Sequence, residues 1–112
     1  MRRGEIWWTS LPAPSGSEPG YRRPVLIVQA DEFNRSSIRT VVCATLTSNL
    51  NLAAAPGNVR LAVRTSGLSK TSVINVSQLI TVDRQMLTER IKTLDDQTMR
   101  QVDDGLRLVL TI

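Results

Sequence analysis

The run "PVLIVQA", residues 24–30, constrains the fold of this chain more than any other stretch. It is apolar without alternation, flanked by Arg22-Arg23 and Asp31-Glu32, and shorter than a packed helix. Such a run marks a strand covered on both faces, so the sheet that holds it must be wrapped rather than laid flat against water.

The surrounding pattern is one of short strands. "GEIWWTSL" (4–11) alternates, with Ile6 and Trp8 to one side and Glu5, Trp7 and Thr9 to the other. One tryptophan is therefore expected in the core and its neighbour partly exposed. "PAPSGSEPG" (12–20) is an irregular loop by its prolines and glycines. "DEFNRSS" (31–37) reads as a helical turn, "RTVVCATLTS" (39–48) as a strand and "NLNLAAAPGN" (49–58) as a loop. "NVRLAVRT" (58–65) alternates as a strand, and "TSVINVSQLITV" (71–82) is another with a bend near Ser77-Gln78. After a turn at 83–87 come a short strand over 89–94 and a helix over 95–112.

Asp95 or Asp96 caps that helix, favoured there by the helix dipole. Met99, Val102, Leu106, Val109 and Leu110 recur at three- and four-residue spacing and form one stripe expected to face the core. Gly105 within it costs about 1 kcal/mol relative to alanine, which marks a site of close packing. Short strands followed by one terminal helix predict a mostly β, barrel-like domain with added helices, a single unit over residues 1–112.

Composition narrows the chemistry. The 112 residues contain no histidine and one cysteine, so an internal disulfide and histidine- or thiolate-based metal sites are excluded. Cys43 lies in an apolar run and reads as an inert buried thiol. The opening "MRRGEIWW" lacks the apolar core of a secretory leader, no stretch is long enough to span a membrane, and the expected location is the cytoplasm. Net charge is +4, and its distribution is uneven: no acid falls between Phe33 and Val82, where Arg35, Arg39, Arg60, Arg64 and Lys70 lie. A one-signed segment of this kind attracts phosphate backbones.

The loop "GSEPGYRRP" concentrates reactive groups. Arg23 precedes Pro24, which holds it in extended geometry at a strand entrance, and its planar guanidinium suits phosphate oxygens. Glu18 is the one acid between Glu5 and Asp31. The strand "CATLTSN" ends in Thr45 and Thr47 on one face, with Ser48 and Asn49 at its mouth. Set side by side, these would serve phosphodiester transfer in RNA: the 2′-OH attacks phosphorus, and arginine and hydroxyl donors stabilise the charge that develops. A surface ion pair between Glu18 and Arg23 is the plain alternative.

Taken together, "RRGEIWW", "GSEPGYRRPVLIVQAD", "TVVCATLTSN" and "LDDQTMRQVDDGLRLVL" resemble the MazF/PemK toxins of bacterial toxin–antitoxin pairs, in order and over essentially the whole chain. The resemblance implies an SH3-like barrel shared with CcdB gyrase poisons, and a homodimer. It implies a sequence-specific endoribonuclease, without metal or other cofactor, that cuts single-stranded RNA to 2′,3′-cyclic phosphate and 5′-hydroxyl ends. The family's catalytic arginine falls on Arg23, its threonine on Thr47 (Thr45 being the other register) and its loop glutamate on Glu18. Ser17, Tyr21, Arg22, Ser48, Asn49, Arg60, Arg64 and Gln78 are the expected RNA contacts. Pro19 departs from the family's frequent glutamine and would alter base selection. The implied partner is a MazE-like antitoxin, an acidic disordered segment that folds across the RNA site. A CcdB-like gyrase inhibitor and a nucleic-acid-binding homologue without activity are the alternatives.

Overall fold

The computed structural model describes residues 1–17 and 20–112. Its strands are β1 (Glu5–Leu11), β2 (Tyr21–Ile27), β3 (Thr40–Thr47), β4 (Val59–Leu61), β5 (Ser72–Asp83) and β6 (Leu87–Thr93). They form one antiparallel six-stranded sheet in the order β4-β5-β3-β2-β1-β6. Helices α1 (Asp31–Asn34), α2 (Val63–Ser66) and α3 (Asp96–Leu110) are added to it.

The double-sided burial implied by "PVLIVQA" is present. Val25, Leu26 and Ile27 are wholly buried at the centre of the sheet. Leu26 packs with Ile6, Leu46, Ile74, Val76, Val102 and Leu106 on the face that α3 covers. Val25 and Ile27 join Val41, Cys43 and Val82 on the opposite face. Burial pushes the Cys43 thiol up to about 12, so it stays protonated and unreactive.

Two features curl the sheet. In β5 the pairing jumps from Ala44↔Leu79 to Thr45↔Asn75, so Val76, Ser77 and Gln78 bulge out where the sequence predicts a bend. A bulge sharpens local twist. Beyond β4, α2 reaches the far edge of the sheet, where the Lys92 ammonium donates to the Arg64 carbonyl and Gly67 lies against Ile91. The result is a six-stranded half-barrel with its rim bridged by α2.

Four expectations are corrected. β2 runs over Tyr21–Ile27, beginning and ending three residues earlier than the apolar run 24–30. β4 stops at Leu61, because Val63–Ser66 form a helical turn ended by Gly67 at φ 76°, so Arg64 is helical and not on a strand. Both tryptophans are half-buried, Trp7 against the Val25 cluster and Trp8 against the Leu26 cluster. Val109 and Leu110 are exposed at 40% and 51%, since Leu106 is the last α3 residue buried against the sheet.

Glu5 is buried in β1, where its carboxylate accepts from the Trp7 indole (3.0 Å), the Arg2 amide (2.8 Å) and Arg90 (3.3 Å). Burial alone would raise its pKa, but these donors outweigh it and hold the carboxyl below its ordinary value. The Arg3 amide and the Asn34 side chain hold Asp31 down likewise. A carboxyl depressed in the folded state contributes its full stability above its unfolded pKa, and that stability is lost as pH falls through the folded value. Thermal unfolding should therefore be nearly flat from about pH 8 to about pH 5, with no histidine to titrate, and should drop below about pH 4. In Glu5→Gln the acid-side drop should be shallower; an unchanged slope in melts followed by circular dichroism would contradict this role.

Candidate active site

The site opens where β2 and β3 part. Their ladder runs Ile27↔Cys43, Leu26↔Ala44 and Val25↔Thr45. Pro24, which has no backbone N–H to donate, stands just beyond. Continuing the register two residues sets Arg23 across from Thr47, and the parted ends leave a cleft of about 270 Å³ that both residues line.

Arg23 is half-buried and has no ion-pair partner among the described residues. The Thr47 hydroxyl accepts from the Asn49 amide at 3.1 Å, while the Asn49 side chain accepts from the Asn51 amide at 3.2 Å and caps the 3₁₀ turn over 50–54. This positions the Thr47 oxygen, and its hydroxyl is free to act as a donor to a group bound in the cleft. Ser48 lines the same cleft, as does Arg22. The Arg22 guanidinium lies 4.1 Å from the centre of the Trp8 ring, with Glu89 at 3.6 Å.

Thr45, in contrast, is buried, and its hydroxyl donates to Gln78 at 3.4 Å. The amide nitrogen of Gln78 reaches the Ser17 carbonyl at 3.4 Å, so the β5 bulge anchors the loop before β2. Ser17, Thr45 and Gln78 thus form one polar tie beside the cleft rather than part of its wall. Tyr21, at the start of β2, is 66% exposed with φ 59°, a strained conformation for an aromatic residue. It lies outside the cleft lining, and Glu18 lies outside the described residues.

Arg60 pairs with Val73, and Val73 pairs with Thr47, so the three form one cross-strand row. At about 4.8 Å between neighbouring strands, Arg60 sits about 10 Å from Thr47, exposed and on the same face. Arg64, on α2, is exposed but does not line the cleft. The far wall comes from Trp8, Leu68, Ser69, Lys70 and Ser72, which lie beyond the site residues expected from the sequence. Lys70 carried a signal, its place in the acid-free segment, but not the pairing that brings it here. Among the described residues no cluster of acids or cysteine could hold a metal ion.

Chemically, this is an anion-binding cleft: two arginines and a lysine at its mouth, fixed hydroxyls beside them, and an apolar floor of Pro24, Leu46 and Leu68. No helix of the described residues is long and apolar enough to cross a membrane.

Comparison with known proteins gives the family of the chain as a whole. Endoribonuclease MazF6 of Mycobacterium tuberculosis is 46% identical over 112 residues, covering 100% of this chain and 98% of its own length. The crystal structure of MazF from Deinococcus radiodurans superposes with a TM-score of 0.81 at 19% identity, covering 100% of this chain and 97% of that one. A mycobacterial endoribonuclease in complex with its cognate antitoxin gives 0.76 at 21% identity, covering 100% and 96%. Residues 2–110 match the family described as the PemK-like, MazF-like toxin of type II toxin–antitoxin systems. With the sequence match running from end to end and the half-barrel fold in common, this chain belongs to the PemK-like, MazF-like toxin family.

Proposed function

We propose that the protein is a sequence-specific endoribonuclease toxin that cuts single-stranded RNA in the Arg23–Thr47 cleft without a metal ion. The observation that carries this reading is the convergence on one cleft of a guanidinium with no ion-pair partner among the described residues and a hydroxyl held by a backbone amide, each from a different strand. The 2′-oxygen attacks the adjacent phosphorus as its proton passes to a base, the bond from phosphorus to the 5′-oxygen breaks, and the leaving oxygen takes a proton from water, which gives a 2′,3′-cyclic phosphate and a 5′-hydroxyl. Arg23 stabilises the charge that builds on the non-bridging oxygens, and Thr47 donates to one of them. The sequence offers no histidine as proton acceptor for the 2′-hydroxyl. Glu18, the one acid between Glu5 and Asp31 in the sequence, takes that role.

Arg22 and Lys70 hold the RNA backbone at the cleft mouth, and Arg60 extends the track along the sheet. Cutting messenger RNA in the cytoplasm stops translation and growth. A cognate antitoxin restrains the toxin, as an acidic segment laid over the same basic surface; that a structural neighbour was solved in complex with its cognate antitoxin supports an antitoxin partner. A homodimer belongs to the same reading, in keeping with the apolar side chains Leu108, Val109 and Leu110 that α3 leaves exposed. A gyrase-binding role would need neither the guanidinium nor the hydroxyl in the cleft.

Incubation with a pool of single-stranded transcripts in excess EDTA tests the reading. Cuts at a short shared sequence, with cyclic phosphate at one end and 5′-hydroxyl at the other, are expected. Intact RNA, or ends bearing 5′-phosphate, would overturn it. Arg60→Ala should weaken RNA binding about equally for all sequences and flatten the dependence of log K on log salt by about 1. An unchanged slope would remove Arg60 from the track.

A further inference from the structure

We propose that Trp8 is the platform on which one nucleobase of the RNA stacks, and that Arg22 occupies this place until RNA displaces it; the proposal rests on the ribonuclease reading above. Trp8 packs against the core cluster around Leu26 and Leu46, so the ring is held rigidly by the sheet. Its neighbour on the cleft side is the Arg22 guanidinium, 4.1 Å from the ring centre. Pro24 lies directly across from Trp8 in the β1–β2 ladder, and with Leu46 and Leu68 it completes an apolar wall within the cleft that Arg23 and Thr47 line.

An apolar, aromatic wall beside a phosphate-binding guanidinium matches a nucleotide, whose base has apolar faces and whose phosphate carries charge. The cleft, at about 270 Å³, falls below the roughly 300–1,000 Å³ that drug-sized ligands fill, which limits it to one base. A guanidinium is flat and weakly hydrated, so it covers an indole face much as a base does. Arg22 is held there loosely. Its ion pair with Glu89 spans 3.6 Å, with the two side chains 58% and 68% exposed, and pairs of that kind contribute little. Displaced, its charge remains at the cleft mouth beside the RNA backbone. Every base presents a π-face, so the platform fixes the position of a nucleotide without reading its identity.

The test uses the whole protein and an oligoribonucleotide of the recognised sequence made uncleavable by a 2′-deoxy substitution at the cut. Abasic positions are walked along it. Trp8→Leu should weaken binding about 5- to 100-fold, with Trp8→Phe retaining most of the affinity. One abasic position should cause a similar loss in the wild type and no further loss in Trp8→Leu, the coupling expected of two groups in contact. That position should also abolish the quenching of indole fluorescence on binding, a reading that needs no substitution in the protein. Losses that multiply at every position, or quenching indifferent to every abasic site, would overturn the platform while leaving normal cutting intact. A wild-type protein that neither cuts nor binds any single-stranded RNA would overturn the ribonuclease reading itself.

Discussion

Arg23→Ala is expected to lower RNA cleavage at least about 100-fold, the scale of losing one preorganised donor to a developing oxyanion. The fold should survive, because Arg23 is half-buried at the rim and forms no ion pair among the described residues. Its removal therefore leaves no buried partner unsatisfied. Arg23→Lys should recover only part of the rate, since an ammonium keeps the charge but not the planar fork that spans two phosphate oxygens. Single-turnover cleavage, with melting temperature as the control for folding, checks both variants. A folded Arg23→Ala protein that cuts near the wild-type rate would take this residue out of the chemistry.

The second large effect is structural. Gly105→Ala would normally favour a helix by about 1 kcal/mol. In α3 the sign should reverse, because a Cβ at Gly105 would run into the Gly57 carbonyl and pass 3.0 Å from its carbon. The obstacle is backbone, held in turn by Gly57 at φ 80°, so no side chain can rotate away. Overpacking commonly costs about 1–3 kcal/mol, and this site should lie at or beyond the upper end. Gly105→Ala should lower the melting temperature by roughly 10 °C, and Gly105→Val should prevent α3 from docking. A melting temperature at or above that of the wild type would show that α3 does not approach the Gly57 turn so closely.

The parts of the fold that the sequence reveals are those set by local pattern. "PVLIVQA" predicts double-sided burial, the Ser77-Gln78 bend coincides with the β5 bulge, and Asp95 caps α3 by accepting from the Thr98 amide at 2.7 Å. The parts it conceals depend on what lies opposite. "VRLAVRT" alternates equally well through Arg64, and nothing in that alternation marks Ala62 as the break between β4 and α2; the one local cue is Gly67, which ends the helical turn in the left-handed region. The stripe through Val109 and Leu110 has the right period, but period says nothing about how far the underlying sheet extends.

The candidate site divides in the same way. Arg23 and Thr47 are legible because each sits at a strand end marked by proline or by polar residues. Trp8, Ser69 and Lys70 are not, since they reach the cleft only through the β1–β2 pairing and the turn into β5. Gln78 is found beside Thr45 and Ser17, tying the loop to the sheet instead of lining the cleft.

The most direct measurement is a double-mutant cycle on cleavage in EDTA, with Arg23→Ala, Thr47→Ala and the pair together acting on one single-stranded RNA. If the two side chains grip the same phosphate, each single change slows the reaction by about tenfold or more, and the double change is little slower than the worse single one. Losses that simply multiply, or a Thr47→Ala protein as fast as the wild type, would contradict a shared phosphate and with it the assignment of this cleft as the place where RNA is cut.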